Sequence, residues 1–204
     1  MKNICFIGAF DKLDLILFIS RIINDLGKKV LIIDATEQQK SRYIVPTINP
    51  TKSYITRFAD IDIAIGFESY EDIDRYIGET EEEKMKYDYA LINIDKSDLL
   101  NNFNNEDTIK NYFVTSYDMY SIKKGLETVS QVKKTLNVTK VIFSSDMKVE
   151  NEYYLDYLAL GYKILWEENK INFPYIIEDI EVMFDNQKIL KIKTKELSQQ
   201  YKES

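Results

Sequence analysis

The first 34 residues place the tightest constraint on how this chain can fold. Asn3-Ile4-Cys5-Phe6-Ile7 is a continuous apolar run that ends at Gly8. Asp11 to Leu26 has helical periodicity, and Gly27 stands where a helix C-terminal glycine belongs. Lys29-Val30-Leu31-Ile32-Ile33 is a second apolar run, ending at Asp34. Strand, helix and strand in so short a span make a βαβ unit. Strands apolar on both faces are what a buried parallel sheet requires.

The later chain repeats the alternation less regularly. Pro46 and Pro50 bracket a loop, and the runs Ser53 to Phe58 and Ile61 to Ile65 read as a hairpin of half-exposed strands. A short helix is expected from Tyr70 to Ile77, followed by a solvated acidic turn, Glu79 to Glu83. Tyr89 to Ile92 is an apolar strand leading to Asn93 and Asp95, and Asn101 to Asp107 reads as a polar loop. Tyr112 to Thr115 is a strand, and Ile122, Leu126, Val129 and Leu136 mark one face of a long helix. Val141 to Phe143, Tyr153 to Leu160 and Lys163 to Trp166 read as strand, helix and strand. Amphipathic pieces at Asp179 to Asn186 and Lys195 to Lys202 follow, with no internal repeat and no linker. The expected architecture is one α/β domain over residues 1–204. Its doubly wound, mainly parallel sheet carries helices on both faces.

Composition removes whole classes of chemistry. The chain has no His, which excludes Ser-His and Cys-His nucleophiles and His metal sites. Its single Cys5 lies in an apolar run and reads as a small buried hydrophobe, with no disulfide available. Lys and Arg number 27 against 34 Asp and Glu, a formal charge of −7 that argues against nucleic acid as a partner. The apolar stretch Ile4 to Phe10 is too short for a signal peptide, and Leu13 to Ile19 is broken by Asp14. A cytoplasmic protein is expected.

In doubly wound folds, ligands bind at the carboxyl ends of the strands, here Gly8 to Lys12, Asp34 to Thr36 and Asn93 to Asp95. Those positions carry a resemblance. Gly27-Lys28-Lys29-Val30-Leu31-Ile32-Ile33-Asp34-Ala35 is similar to the second-strand motif of MinD/ParA-type P-loop ATPases. Tyr87-Asp88-Tyr89-Ala90-Leu91-Ile92-Asn93 resembles that family's Walker B strand, and Phe173-Pro174-Tyr175 its late proline segment. The likeness is closest to the TadZ/CpaE-like branch, which assists pilus and secretion assembly. It implies a P-loop NTPase-like three-layer sandwich.

The resemblance also says which positions should handle nucleotide, and most are altered. Counted back from Gly27, the Walker A lysine falls on Lys12, and Gly8 opens the loop. Ala9, Phe10 and Asp11 stand where the family has glycines that turn backbone N–H groups toward phosphate. Ile7 replaces the deviant lysine that reaches across a dimer. Leu13 replaces the hydroxyl that holds Mg²⁺, Asn93 the Walker B aspartate and Thr36 a water-positioning aspartate. Hydrolysis is therefore not expected, and no cofactor is.

Each residue also has an ordinary reading. Lys12 is a phosphate ligand or a solvated lysine of a first helical turn. Asp11 suits a helix N-terminus. Asp34 holds a cation or has a structural role, and Asp95 points with Asn93 only if its strand continues. The leading reading is a MinD/ParA-like pseudo-ATPase that binds protein components of a membrane-associated machine. Tyr43 and Tyr54, flanking the two-proline loop, are the candidate partner surface. A second reading is a weak nucleotide-dependent ATPase switch, with ATP and Mg²⁺ bound through Gly8, Lys12, Asp34 and Asp95; a homodimer is a candidate assembly in either reading. A third is a flavodoxin-like or receiver-like domain with Asp11, Asp34 and Asp95 as a cation cluster. The tail from Lys195 to Ser204 offers only Leu197 and Tyr201 as apolar residues, too little area for direct membrane binding.

Overall fold

Alternating side chains divide the first strand between two cores. In the computed structural model, which describes residues 1–45, 52–80, 86–115, 119–131, 140–143 and 164–166, β1 (Lys2–Ile7) is buried from Asn3 onward. Ile4 and Phe6 join one apolar cluster, with Leu15, Ile16, Ile19 and Ile23 of α1 (Leu13–Asp25). Cys5 and Ile7 join the cluster on the other face. That second cluster contains Ile73 and Ile77 of α2 (Tyr70–Thr80) and Leu100 and Phe103 of α3 (Ser97–Phe103). Both faces of the strand are therefore covered by helices, as its unbroken apolar run requires.

The remaining strands are β2 (Val30–Ala35), β3 (Tyr54–Phe58), β4 (Ile61–Ile65), β5 (Tyr89–Ile94), β6 (Thr108–Thr115), β7 (Lys140–Phe143) and β8 (Ile164–Trp166). They form one sheet in the order β3-β4-β2-β5-β1-β6-β7-β8. Every neighbouring pair is parallel except the β3–β4 hairpin, in which Phe58 lies opposite Ile61. Helix α4 (Met119–Ser130) follows β6, and Val129 packs on the same cluster as α2 and α3. The result is the three-layer α/β sandwich that the strand pattern predicts.

Local signals behaved as their chemistry demands. Gly27 takes φ +79 just after α1, the left-handed position that glycine fills at least cost. Asp11 accepts the backbone N–H of Leu13 at 3.2 Å, satisfying one orphan donor of the first turn. Cys5 is wholly buried, and burial pushes its thiol up to about 12. The expected polar loop Asn101 to Asp107 is corrected. Its first half is the end of α3, where Leu100 and Phe103 sit on one face and are completely buried. The buried face of α4 holds Ser121, Ile122, Gly125 and Thr128, with Leu126 only half-buried. The expectations for Glu81 to Glu83, Leu136, the two prolines Pro46 and Pro50, Tyr153 to Leu160, Phe173 to Tyr175 and both amphipathic tail pieces lie outside the described residues. Among the described residues, no helix is long and apolar enough to cross a membrane.

Candidate functional site

Parallel pairing brings the carboxyl ends of β1, β5 and β2 side by side, since Phe6 is in register with Asn93 and Asn93 with Asp34. A cleft of about 200 Å³ opens there. Its walls are the loop Gly8 to Lys12, Thr36 to Gln38, Lys40, Asn93, Asp95, and Tyr120 and Lys124 from α4. Three of the four expected nucleotide-handling residues, Gly8, Lys12 and Asp95, line this cleft, and Asp34 stands behind it through Thr36. Strand β5 ends at Ile94, one residue short of Asp95, yet Asn93 and Asp95 both line the cleft.

Lys12 is buried, at 3% exposure, so the solvated-lysine reading is corrected. Its ammonium donates to the carbonyl of Gly8 at 2.6 Å and, more weakly, to that of Phe10 at 3.5 Å. Burial pushes its pKa down to about 8, against the pull of Asp95, Asp34 and Asp11 in the other direction. The lysine therefore keeps its proton at neutral pH and balances the surrounding carboxylates.

Those carboxylates are already engaged. Asp11 pairs with Lys40 at 2.7 Å, with both side chains about half exposed. Burial raises the Asp11 pKa, but Lys40, the Leu13 amide and Lys12 together outweigh it and hold the group below its usual value. Asp34 is buried and accepts four hydrogen bonds. Its Oδ1 takes the amide and hydroxyl of Thr36 at 3.2 and 2.6 Å, and its Oδ2 takes those of Ser41 at 3.0 and 2.5 Å. Asp95 accepts the Glu37 amide at 2.9 and 3.2 Å. Its pKa is raised, chiefly by burial, with the Glu37 amide and Lys12 opposing. The expected cation cluster is thus corrected. Among the described residues, no group of three Asp, Glu or Cys side chains is placed to hold a metal ion.

Gly8 has a packing reason to be glycine. Its φ is +138, and a Cβ there would lie 2.1 Å from the carbonyl oxygen of Val114. Its N–H donates to the Ile94 carbonyl at 3.0 Å, so that donor already serves the β1–β5 edge. Asn93 is buried, and its Oδ1 has no hydrogen-bond partner among the described residues. Taken together, these residues do not fit Mg²⁺-nucleotide. Leu13 brings no hydroxyl, Asp34 has no oxygen free of its chain partners, and the loop directs carbonyls at Lys12.

The two candidate partner residues part company. Tyr43 ends a 3₁₀ turn, Lys40–Tyr43, and is 87% exposed. Tyr54 is buried in β3, so its assignment to an exposed partner surface is corrected; the Arg42 guanidinium lies 5.6 Å from its ring centre. Sequence reasoning missed Lys40, Glu37, Tyr120 and Lys124. The last two stand four apart on a helix that follows a strand end, which is the signal that would have placed them together.

No protein-family model matches the sequence, and no curated protein does. Solved structures match its shape. A plasmid partition protein from Borrelia burgdorferi superposes with a TM-score of 0.60 at 13% identity, covering 95% of this chain and 100% of that one. The MinD cell division protein of Aquifex aeolicus gives 0.51 at 16% identity, covering 97% of each chain. A ParA family ATPase from Chlorobium tepidum TLS gives 0.52 at 12% identity, covering 81% and 82%. At such identities the likeness carries the fold alone: the chain adopts the three-layer α/β sandwich seen in MinD/ParA-type P-loop ATPases.

Proposed function

We propose that this chain is a non-hydrolysing pseudo-ATPase of MinD/ParA fold, acting as a cytoplasmic scaffold or localisation factor. Its partners are protein components of a pilus, secretion or similar membrane-associated assembly, in the manner of the TadZ/CpaE-like branch. One observation carries the reading. The ammonium at the Walker A lysine position is turned onto the Gly8 carbonyl and hemmed by three carboxylates, so a triphosphate would have to displace it and face those acids. A like-charge contact at about 4 Å costs roughly 1 to 4 kcal/mol per pair at effective dielectrics of 80 to 20. Protein binding then falls to the surface around Tyr43. The test is Mg²⁺-dependent ATP and GTP turnover by the purified chain. A rate at background is expected, and turnover abolished by Lys12→Met would overturn the reading.

A second reading, a weak nucleotide switch, is favoured by one specific feature. Lys12, Lys40 and Lys124 line the same cleft beside the unpartnered Asn93 oxygen. ATP turnover that is lost in Lys12→Met would select it.

A further inference from the structure

The floor of the cleft offers hydrogen-bond acceptors where a phosphate would need donors. Two side chains at the end of β5, Asn93 and Asp95, line it. Asn93 is 4% exposed, and its Oδ1 accepts no hydrogen bond among the described residues. A buried acceptor left in that state costs about 1 to 3 kcal/mol, which a donor seated there would relieve. The Asp95 carboxylate accepts one backbone amide, that of Glu37. Among the described residues no ammonium lies within ion-pair distance of it. Lys12 donates to the Gly8 and Phe10 carbonyls and to neither of these side chains.

Charge points the same way. Asp11, Asp34 and Asp95 bring three negative charges to these strand ends, whereas Lys12 and Lys40 bring two positive ones, a difference of one. Glu37 and Glu127 are matched by Lys96 and Lys124 at 4.0 and 3.3 Å. The uncompensated charge falls on half-buried Asp95, whose pKa burial raises, as it should for a carboxylate without a cation at hand. Among the described residues no acidic group of three is placed for a metal ion, which leaves an organic cation. At about 200 Å³ the cleft falls below the roughly 300 to 1,000 Å³ of sites for drug-sized ligands, so its occupant is small.

We propose that the cleft binds a small primary ammonium compound, its N–H groups donating to Asp95 and to Asn93 Oδ1 and its carbon chain leading out past Tyr120. The proposal rests on the scaffold reading in one respect, that nucleotide does not occupy this space. Tyr120 stands at the mouth, 71% exposed, and offers an aromatic ring to the carbon chain.

The experiment titrates the full chain with n-butylammonium chloride and follows backbone and side-chain amides by NMR. Saturable shifts are expected at the Glu37 amide and the Asn93 side chain, with Lys28 at the opposite end of the sheet unmoved. Tetramethylammonium chloride at the same ionic strength carries the charge but no N–H, and it leaves those resonances in place. Asp95→Asn keeps an oxygen for the Glu37 amide and removes the charge, so n-butylammonium binds roughly tenfold more weakly. Asn93→Leu removes the unpartnered oxygen and weakens binding about twofold to tenfold. No saturable shift with n-butylammonium overturns the proposal, as do equal shifts from tetramethylammonium or an unchanged affinity in Asp95→Asn. Inorganic phosphate that moves the same resonances at lower concentration also overturns it, because the floor would then be a site for anions. ATP turnover by the unaltered protein would remove the non-hydrolysing reading and leave the n-butylammonium titration to judge the cleft by itself.

Discussion

The Lys12 ammonium lies 2.6 Å from the carbonyl oxygen of Gly8, four residues before it. The loop that opens α1 is closed on itself through its own cation. Opposing effects meet at this amine: burial disfavours its charge, while Asp95, Asp34 and Asp11 favour it.

That arrangement has a pH signature. The Lys12 amine is expected to titrate near 8, against the ordinary 10.5, in a lysine-selective NMR titration. Asp95→Asn removes a carboxylate that raises the value, so the midpoint falls further. The unfolded chain binds this proton more readily between about 8 and 10.5, so the group's contribution makes the fold more stable as pH rises across that window. A midpoint at 10.5 would mean that the amine is solvated.

Glycine positions separate packing from turn chemistry. Gly8→Ala drives a Cβ into the Val114 carbonyl at φ +138 and is expected to cost about 3 kcal/mol or more. Gly27→Ala meets open space and carries only the left-handed penalty, about 1 kcal/mol. Denaturant midpoints compare the two, and equal shifts would show that the Gly8 contact is not tight.

Tyr54 and Tyr43 give opposite outcomes. Tyr54→Ala empties a core position and is expected to lose roughly 3 to 5 kcal/mol of stability. Tyr43→Ala changes stability by about 0.5 kcal/mol or less. Loss of a partner in Tyr54→Ala therefore reports folding, whereas loss in Tyr43→Ala, with an unchanged melting curve, reports contact.

The central strands were readable because a run such as Val30 to Ile33 is apolar on both faces, and few structures other than a covered parallel strand accommodate it. Helix α3 was hidden by composition. Asn101 and Asn102 make the segment look like loop, and only the spacing of Leu100 and Phe103 betrays the buried stripe. At the site, the gathering of Gly8, Lys12, Asn93 and Asp95 at neighbouring strand ends was legible from the strand pattern. The fate of Asp34 was not, because its partners Thr36 and Ser41 are set by how the chain folds back after β2. Burial of Lys12 was equally invisible, since a lysine after an acid in a first helical turn is usually solvated.

The place of β1 in the sheet fixes a schedule for the newborn chain. Its neighbours are β5, Tyr89–Ile94, and β6, Thr108–Thr115, so the strand made first waits for partners made much later. Ribosomes add about 5 to 20 residues per second, so the roughly hundred residues between β1 and β6 take on the order of 5 to 20 s. Throughout that interval Ile4 to Ile7, wholly hidden in the finished molecule, stand open to water and to any chaperone within reach.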